Sequence, residues 1–219
     1  MQDRAPNGRQ VAIVDLGTTN LTRFKHALTC LGYRPEVITS DSAIAEAPIA
    51  VVPASGALAP LMQHIRRSGI SEGLTARVEA GLPTLAVDAG AHLFAEGFVE
   101  DKASGPGLGV LPGIVRSLPD QGVRGETLVN PHIGWNQAEL VKASPLLKSS
   151  AIYYYAHRRV VDVGSQWEAC VLAQSEHTLV FPALLSQGSL VATQFQPEMS
   201  GAEGLSFLAR FFSEATPAP

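Results

Sequence analysis

Asp88 lies at a junction where the sequence could do chemistry. In the stretch TLAVDAGAHLF it follows an apolar strand and precedes what reads as the start of a helix. Many α/β enzymes present a nucleophile at such a strand-to-helix turn. His92 is four residues further on, within side-chain reach of Asp88 on a helix, so the two could form a catalytic dyad. A second polar pair, Gln196 and Glu198 in QFQPEMS, is of the type that binds a polar ligand.

The sequence supports two interpretations of Asp88. Aspartate is among the best N-cap residues, and the positive end of a helix dipole stabilises its charge and lowers its pKa. On this interpretation Asp88 only caps the helix. On the other interpretation Asp88 is a nucleophile or general base toward some electrophile. The low pKa expected of a cap weakens both of these roles.

The elements that position these residues alternate between strands and helices in the first half of the chain. The apolar runs VAIVDL, IAVVPA and TLAVDA are typical of strands buried on both faces of a parallel sheet. Helical patterns lie between them, with Asn20 as the predicted N-cap of the first helix. The second half has shorter strand-like runs, a hairpin turn at SQGS, and a last helix for which Ser200 and Glu203 have capping-box spacing. We therefore predict an α/β fold, a doubly wound sheet with additional antiparallel strands in the second half.

In such a fold, ligands bind beyond the carboxyl ends of the strands. Four loops follow predicted strand ends, and they are DLGTTN, PASGAL, DAGAHL and QPEMSG. A site built from all four loops would contain Asp15, Asn20, residues 54–57, Asp88, His92, Gln196 and Glu198.

Composition narrows the class of protein. The 219 residues carry a net charge of -4, and no basic cluster of the kind that binds nucleic acid is present. No run approaches the roughly 18 apolar residues needed to cross a membrane. The two cysteines suit a reducing compartment, so we expect a cytoplasmic protein. No metal-ligand spacing is present, and no cofactor is expected. We predict a single domain over residues 11–212, with flexible tails at 1–10 and 213–219.

Several motifs, in order along the chain, resemble the glutaminase subunit of imidazole glycerol phosphate synthase, a class I glutamine amidotransferase of histidine biosynthesis. PHIGWNQ is the most distinctive of them. The resemblance runs over roughly residues 11–212 and implies the flavodoxin-like fold of that class. Its motifs are VAIVDLGTTNLTRFKHALTCLGY, VVPASGAL, GLPTLAVDAGAHLF, GPGLGVLPGIV, NPHIGWNQAEL, SPLL, YYYAHRRVV and ATQFQPEMSGAEGL.

The resemblance assigns catalytic positions, and most of them carry other residue types here. That family uses a cysteine nucleophile, a histidine base and a glutamate that orients the histidine. These positions fall on Asp88, Gln196 and Glu198, of which only the glutamate is retained. The ligand-pocket positions fall on Ala54 and Gly56, which flank Ser55 in the loop that supplies the oxyanion contact, and on His92, which replaces a glutamine.

These replacements predict that the chain does not hydrolyse glutamine. A carboxylate is a feeble nucleophile toward an unactivated amide, and a glutamine side chain does not exchange protons near neutral pH. Neither cysteine replaces the nucleophile, because Cys30 is predicted on the apolar side of the first helix and Cys170 on a later strand. The chain is therefore interpreted as a pseudoenzyme.

The segment that faces the partner in that family is intact. The family's partner is a (β/α)8-barrel cyclase that receives ammonia, so the resemblance implies a heterodimer with a cyclase-like barrel. Arg158 and Arg159, close to this segment, replace smaller or aromatic residues of the family. The predicted interface residues are Pro131, His132, Ile133, Gly134, Trp135 and Asn136.

Two other hypotheses remain open from the sequence. One is an enzyme with repurposed hydrolase or transferase chemistry around Asp88, His92 and Glu198. The other is a sensor in which the old glutamine pocket binds a small polar ligand without reacting. The remaining histidines are given no catalytic role. His132 and His157 are interpreted as structural or interfacial, and His26, His64 and His177 as solvent-facing.

Overall fold

A computed structural model of the chain describes residues 9–100, 102–122, 125 and 129–215. The predicted tails, 1–10 and 213–219, lie mostly outside these residues. The described strands are β1 (Gln10–Val14), β2 (Arg34–Ile38), β3 (Ala50–Ala54), β4 (Thr84–Asp88), β5 (Ala95–Glu100), β6 (Ala103–Pro106), β7 (Leu111–Ser117), β8 (His132–Leu140), β9 (Ala151–His157), β10 (Arg159–Asp162), β11 (Val171–Glu176), β12 (Val180–Gln187) and β13 (Leu190–Thr193). The described α-helices are α1 (Thr22–Cys30), α2 (Asp41–Glu46), α3 (Leu58–Arg67), α4 (Ile70–Glu79), α5 (Ala89–Leu93), α6 (Trp167–Cys170) and α7 (Gly201–Glu214).

Within the described residues, one large sheet combines a parallel and an antiparallel half. Its nine strands have the order β2-β1-β3-β4-β13-β12-β11-β8-β9. The pairs from β2 through β13 are parallel, and those from β13 through β9 are antiparallel. A second, four-stranded sheet has the order β10-β7-β5-β6. This topology confirms the predicted doubly wound sheet with antiparallel strands added in the second half of the chain.

The parallel strands are apolar because helices cover both faces of the sheet. On one face, α3 buries Leu61 and Ile65 in the same cluster as Val52 of β3. On the other face, α1 and α7 bury Phe24 and Phe207 against the remaining side chains of the same strands. Successive residues of a strand point to opposite faces, so a strand between two helical layers has no solvent-facing position. All five residues of β3 and of β4 are buried for this reason.

Four local predictions about helices and the residues on them need correction. Asn20 Oδ1 does accept the Thr22 backbone N–H at 2.9 Å, but the N-cap position itself is Leu21. The helix α2 is absent from the sequence-based prediction. Cys30 is exposed at the end of α1 rather than on its apolar side, and Cys170 ends the short helix α6 rather than lying on a strand.

The predicted capping box at the last helix is wrong. Ser200 occupies the N-cap position of α7, but its side chain makes no capping hydrogen bond. Its hydroxyl donates instead to the Gln196 carbonyl oxygen at 2.7 Å and accepts the Tyr154 backbone N–H at 2.9 Å. Ser200 therefore joins β9 to the turn that carries Gln196. The predicted SQGS turn is confirmed between β12 and β13, where Gly188 has a φ of 57°.

No helix of the described residues combines the length and the apolar character that crossing a membrane requires.

Candidate functional site

Asp88 lies at a sharp turn between β4 and α5. Among the described residues other than glycine, it alone has a positive φ, 55° with a ψ of -123°. A side chain in this conformation costs about 1–3 kcal/mol and persists only where the surrounding structure holds it. Gly90 allows α5 to hold this turn close to β3. A Cβ at Gly90 would lie 1.9 Å from the Val52 carbonyl oxygen, so only glycine lets α5 pack this closely on β3.

The Asp88 carboxylate is buried and held by two amide groups. Only 5% of the residue is exposed. Gln194 Nε2 donates to Oδ1 and Gln196 Nε2 to Oδ2, each at 3.2 Å. Burial raises the pKa of Asp88 to about 7, and the bond from Gln196 and the nearby positive charge of Arg159 only partly oppose it. The prediction of a helix cap with a low pKa is wrong, because no capping hydrogen bond forms and burial outweighs the helix terminus.

His92 does not contact Asp88 directly. Its Nε2 lies 2.9 Å from Gln194 Oε1, and an amide oxygen can only accept, so Nε2 carries the proton. Burial lowers the pKa of His92 to about 4. The predicted Asp88–His92 dyad is thus replaced, in the described structure, by an Asp88–Gln194–His92 chain. Gln194 lies outside the predicted site residues, although it stands two residues before Gln196 at the end of a strand.

Gln196 and Glu198 follow β13 and complete the buried cluster. Glu198 belongs to a short turn of 3-10 helix, Pro197–Met199. Its Oε2 atom is buried and has no hydrogen-bond partner within the described part of the chain. Burial, assisted by the negative charge of Asp88, raises the pKa of Glu198 to about 8. The three positions that the resemblance assigns to a triad therefore lie together.

The loop after β3 also lies next to Asp88. Ala54 pairs with Asp88 across the two parallel strands. Ser55 is bonded to Thr18 rather than to Asp88. Its hydroxyl donates to the Thr18 carbonyl oxygen, and its backbone N–H donates to Thr18 Oγ1 at 3.3 Å. Gly56, with a φ of 99°, turns the chain toward the site. Asp15 and Asn20, predicted to join the site, instead accept backbone N–H groups two residues further along the chain.

A cavity of about 390 Å³ opens above Asp88, a volume that suits a small ligand. One of its walls is Arg159, whose Nε lies 2.5 Å from Glu100 Oε1 in a largely buried ion pair. Glu100 also accepts the backbone N–H groups of Leu58 and Ala59 at the start of α3, at 2.8 and 3.3 Å. Glu100 is not among the residues predicted for the site. The cavity is lined by Gly56, Ala57, Asp88, Ala89, His92, Pro131, Ile133, Ala156, His157, Arg158 and Arg159.

The outward side chains of β8 and β9 form a surface beside this cavity. Trp135 is 59% exposed, and its ring packs edge-on against Tyr154, with centroids 5.8 Å apart. Ile133 and Ile152 are likewise exposed, at 62% and 56%. β9 is the last strand of the sheet. We define this surface as Ile133, Trp135, Gln137, Ile152, Tyr154 and Ala156, and we call it the docking face after the partner contact that the resemblance predicts for this segment.

His132 does not belong to the docking face. It was predicted as an interface residue, but it is only 5% exposed and points to the opposite side of β8 from Trp135. Its ring stacks on His177, with centroids 4.2 Å apart, so one face of the half-buried His177 ring is covered. Gly134 and Asn136 are partly exposed. Pro131 lines the cavity beside the docking face.

Comparisons with known proteins identify the family. The chain is 32% identical over 203 residues to the imidazole glycerol phosphate synthase subunit HisH of Listeria monocytogenes serotype 4b (strain CLIP80459), covering 92% of this chain and 94% of that protein. It is 34% identical over 211 residues to the HisH subunit of Geobacillus kaustophilus (strain HTA426), covering 94% and 97%. The chain belongs to the HisH family.

Solved structures show the same fold for this HisH-family chain. A glutamine amidotransferase crystal structure matches with a TM-score of 0.70 at 22% identity, covering 94% of this chain and 98% of that one. The structure of PurLQS from Thermotoga maritima matches with a TM-score of 0.73 at 13% identity, covering 95% and 100%. At these identities the likeness concerns the fold alone. No protein-family profile matches the chain.

The buried groups of this HisH-family chain make its stability depend on pH in two opposite ways. The pKa values of Asp88 and Glu198 are raised in the folded state, so the folded chain binds more protons than the unfolded chain between about pH 4 and 8. Stability therefore falls as pH rises through this range. The pKa values of His92, His132 and His157 are lowered, so these residues reduce stability as pH falls below about 6.5. Between pH 6.5 and 8 the carboxyl groups dominate.

We expect the free energy of unfolding to decrease by about 1–2 kcal/mol between pH 6.5 and 8. Glu198→Gln should flatten this decrease, because it removes one of the two groups whose raised pKa lies in that range. Urea unfolding at a series of pH values measures the effect. Glu203→Gln, on the exposed side of α7, is the matched control and should leave the slope unchanged. Equal slopes for the wild type and Glu198→Gln would contradict the prediction.

Proposed function

We propose that this chain is a catalytically inactive, glutamine amidotransferase-like subunit that docks on a cyclase-like (β/α)8-barrel protein. In this role it stabilises or regulates the partner in a heterodimer, in the cytoplasm, without hydrolysing glutamine. The observation that carries the proposal is the environment of Asp88. A carboxylate occupies the position that the resemblance assigns to a nucleophilic cysteine, and amide groups of Gln194 and Gln196 hold both of its oxygens.

The chemistry of this cluster supports inactivity. Attack of a carboxylate on an amide would form an anhydride, which lies uphill of the amide. Gln196 stands at the position assigned to the base, and its side-chain amide donates to Asp88 Oδ2. An amide neither takes up nor releases a proton near neutral pH. Loss of both nucleophile and base in triad hydrolases removes on the order of a millionfold in turnover. Glutamine hydrolysis by the family route should therefore be undetectable.

The docking face supports a protein partner. A large aromatic side chain, flanked by exposed isoleucines on the last two strands of the sheet, is of the type found at the energetic centres of protein interfaces. The relatives named above are each described as a subunit of a synthase. Trp135, in the PHIGWNQ segment, pairs with Tyr154 within this face, and this position supports its assignment as a partner contact.

Trp135→Ala should weaken binding to the cyclase-like barrel of the same organism by roughly 30-fold or more, because an interface hot spot contributes about 2 kcal/mol or more. Isothermal titration calorimetry measures the dissociation constants. Val180→Ala is the matched control, since Val180 is an exposed apolar residue on β12 outside the docking face. Absence of binding by the wild-type chain, or equal binding by Trp135→Ala, would contradict the proposal.

The geometry also favours a second function, an enzyme with repurposed hydrolase or transferase chemistry around Asp88, His92 and Glu198. Asp88 lines the cavity, and a pKa of about 7 suits a general acid or base at neutral pH. Asp88→Ala separates the two functions. It should leave partner binding unchanged if the chain is a docking subunit, and it should abolish turnover of an activated ester such as p-nitrophenyl acetate if the chain is an enzyme.

A further inference from the structure

A row of hydrogen bonds runs beneath the docking face. His132 on β8 and His157 on β9 are register partners, and His132 Nδ1 lies 2.9 Å from His157 Nε2. The other ring nitrogens are also engaged. His157 Nδ1 lies 3.0 Å from the Arg159 carbonyl oxygen, and Asn136 Nδ2 lies 3.3 Å from His132 Nε2. Both rings are buried, at 5% and 4% exposure. Neither histidine contributes to the chemistry considered above.

The partners fix the proton on each ring. A carbonyl oxygen can only accept, so His157 Nδ1 carries a proton and donates to Arg159. In a neutral ring the Nε2 of His157 is then an acceptor, and His132 must donate to it from Nδ1. His132 Nε2 is left as an acceptor for the Asn136 amide. Every ring nitrogen of the pair has a partner only when both rings are neutral.

The row connects two parts of the molecule. At one end, Asn136 lies next to Trp135 on β8 and also donates to the Glu176 carbonyl oxygen at 2.8 Å. At the other end, the Arg159 side chain pairs with Glu100 in the cavity wall. The docking face and the cavity are thus joined through the two rings.

The pair lies among aromatic and polar side chains. Burial lowers the pKa of His132 to about 4, assisted by His177, and lowers that of His157 well below its ordinary value. Both rings are therefore neutral at pH 7. The groups that face them from the surrounding elements are His92, Asn136, Tyr155, the Arg159 backbone, His177 and Phe181.

We propose that the His132–His157 pair is a proton-sensitive connector that holds the docking face and the Arg159 wall of the cavity in one arrangement. A proton added to His132 goes on Nε2, opposite the Asn136 amide N–H at 3.3 Å. A proton added to His157 goes on Nε2, opposite the His132 Nδ1–H at a separation of 2.9 Å. That contact is repulsive, so the two strands separate at this point and Arg159 moves relative to Glu100. Its consequence for partner binding rests on the proposed docking function, whereas the connector itself is a property of the isolated chain.

NMR of the isolated chain tests the connector. The imidazole nitrogen signals should show the Nδ1–H tautomer for both rings at pH 7. Between pH 7 and 4, the Arg159 Nε–H signal and the Trp135 indole N–H signal should change with the same midpoint as the His132 ring nitrogens. Spectra of Arg159→Lys and Trp135→Phe assign the two signals. A different tautomer, or loss of both signals only together with the dispersed amide signals of the folded chain, would overturn the proposal.

His157→Gln provides the decisive variant. The glutamine oxygen can still accept from His132 Nδ1, but the side chain does not take up a proton and loses the bond to Arg159. The Arg159 signal should therefore no longer share the midpoint of the Trp135 signal. His26→Gln, an exposed residue on α1, is the matched control and should behave as the wild type. Retention of the common midpoint in His157→Gln would overturn the proposal.

Partner binding separates this proposal from the proposed function. The dissociation constant for the barrel should rise about twofold between pH 7 and 4 for the wild type, because the pKa of His132 is about 4, and the rise should be smaller for His157→Gln. If no barrel binds at any pH, the docking function fails while the NMR result still decides the connector. If binding is equally pH-dependent in both proteins, the connector is wrong and docking stands.

Discussion

The double variant Asp88→Cys/Gln196→His should release glutamate from glutamine when the barrel partner is bound, whereas the wild type should not. The turn at residue 88 has kept the positive φ that displays a side chain above the sheet, and residue 196 already contacts residue 88. Glu198 has a buried carboxylate oxygen without a partner in the described structure, which is suited to orient a histidine at position 196. The variant thus restores thiol, base and orienting carboxylate together.

The expected gain is large because such groups act as a unit. Restoring the pair should raise glutamate release by roughly 1,000-fold or more over the wild-type background, while each single variant should gain little. A coupled glutamate dehydrogenase assay measures the rates. Asp88→Ser/Gln196→His, which lacks the thiol, is the matched control. Glutamate release by the wild type that disappears in Asp88→Ala would contradict the proposed inactivity.

Arg77→Ala should lower the free energy of unfolding by about 3–5 kcal/mol. Arg77 is fully buried on α4 and donates to Thr84 Oγ1 at 2.8 Å and to the carbonyl oxygens of Ala47, at 3.2 Å, Pro83, at 3.0 Å, and Ile44. Burial lowers its pKa to about 10, which leaves it charged at pH 7. Removing it leaves a cavity and several unpaired carbonyl groups between α2 and β4.

Urea unfolding followed by circular dichroism measures this effect, with the slope against urea concentration as the check that unfolding remains two-state. Arg67→Ala is the control. Arg67 is exposed at the end of α3, so its removal should change the free energy of unfolding by no more than about 0.5 kcal/mol. A loss below about 1 kcal/mol for Arg77→Ala would show that the buried cation contributes little net stability.

Much of the site follows from the sequence because it depends on local order along the chain. Asp88 comes at the end of a buried strand, and parallel strands bring their carboxyl ends to one edge of the sheet. Gln196 and Glu198 follow another parallel strand, so their proximity to Asp88 is a consequence of topology. The same reasoning places Gly56 nearby. It fails for Asp15 and Asn20, whose side chains bond to backbone N–H groups of their own loop.

The sequence-based predictions are wrong where a polar side chain can bond either to a neighbour along the chain or to a distant segment. Ser200 has the spacing of a capping residue, yet it bonds to Gln196 and Tyr154, which tertiary folding brings to it. Asp88 has the position of a cap, yet its carboxylate accepts from two glutamines more than 100 residues away in sequence. Sequence spacing indicates only which partner is close along the chain. It does not indicate whether a side chain will bond to that partner or to one from a distant segment.

The sequence by itself determined the fold class, the HisH-like motifs and the replacement of residues at the assigned catalytic positions, because these depend on periodicity and on residue identity. Only the tertiary structure decided the protonation of the buried groups. Burial, not the helix end, sets the pKa of Asp88, and the opposing ring nitrogens of His132 and His157 set which proton each carries. Desolvation and hydrogen-bond partners depend on distant segments packed around a group, and these exist only once the chain is folded.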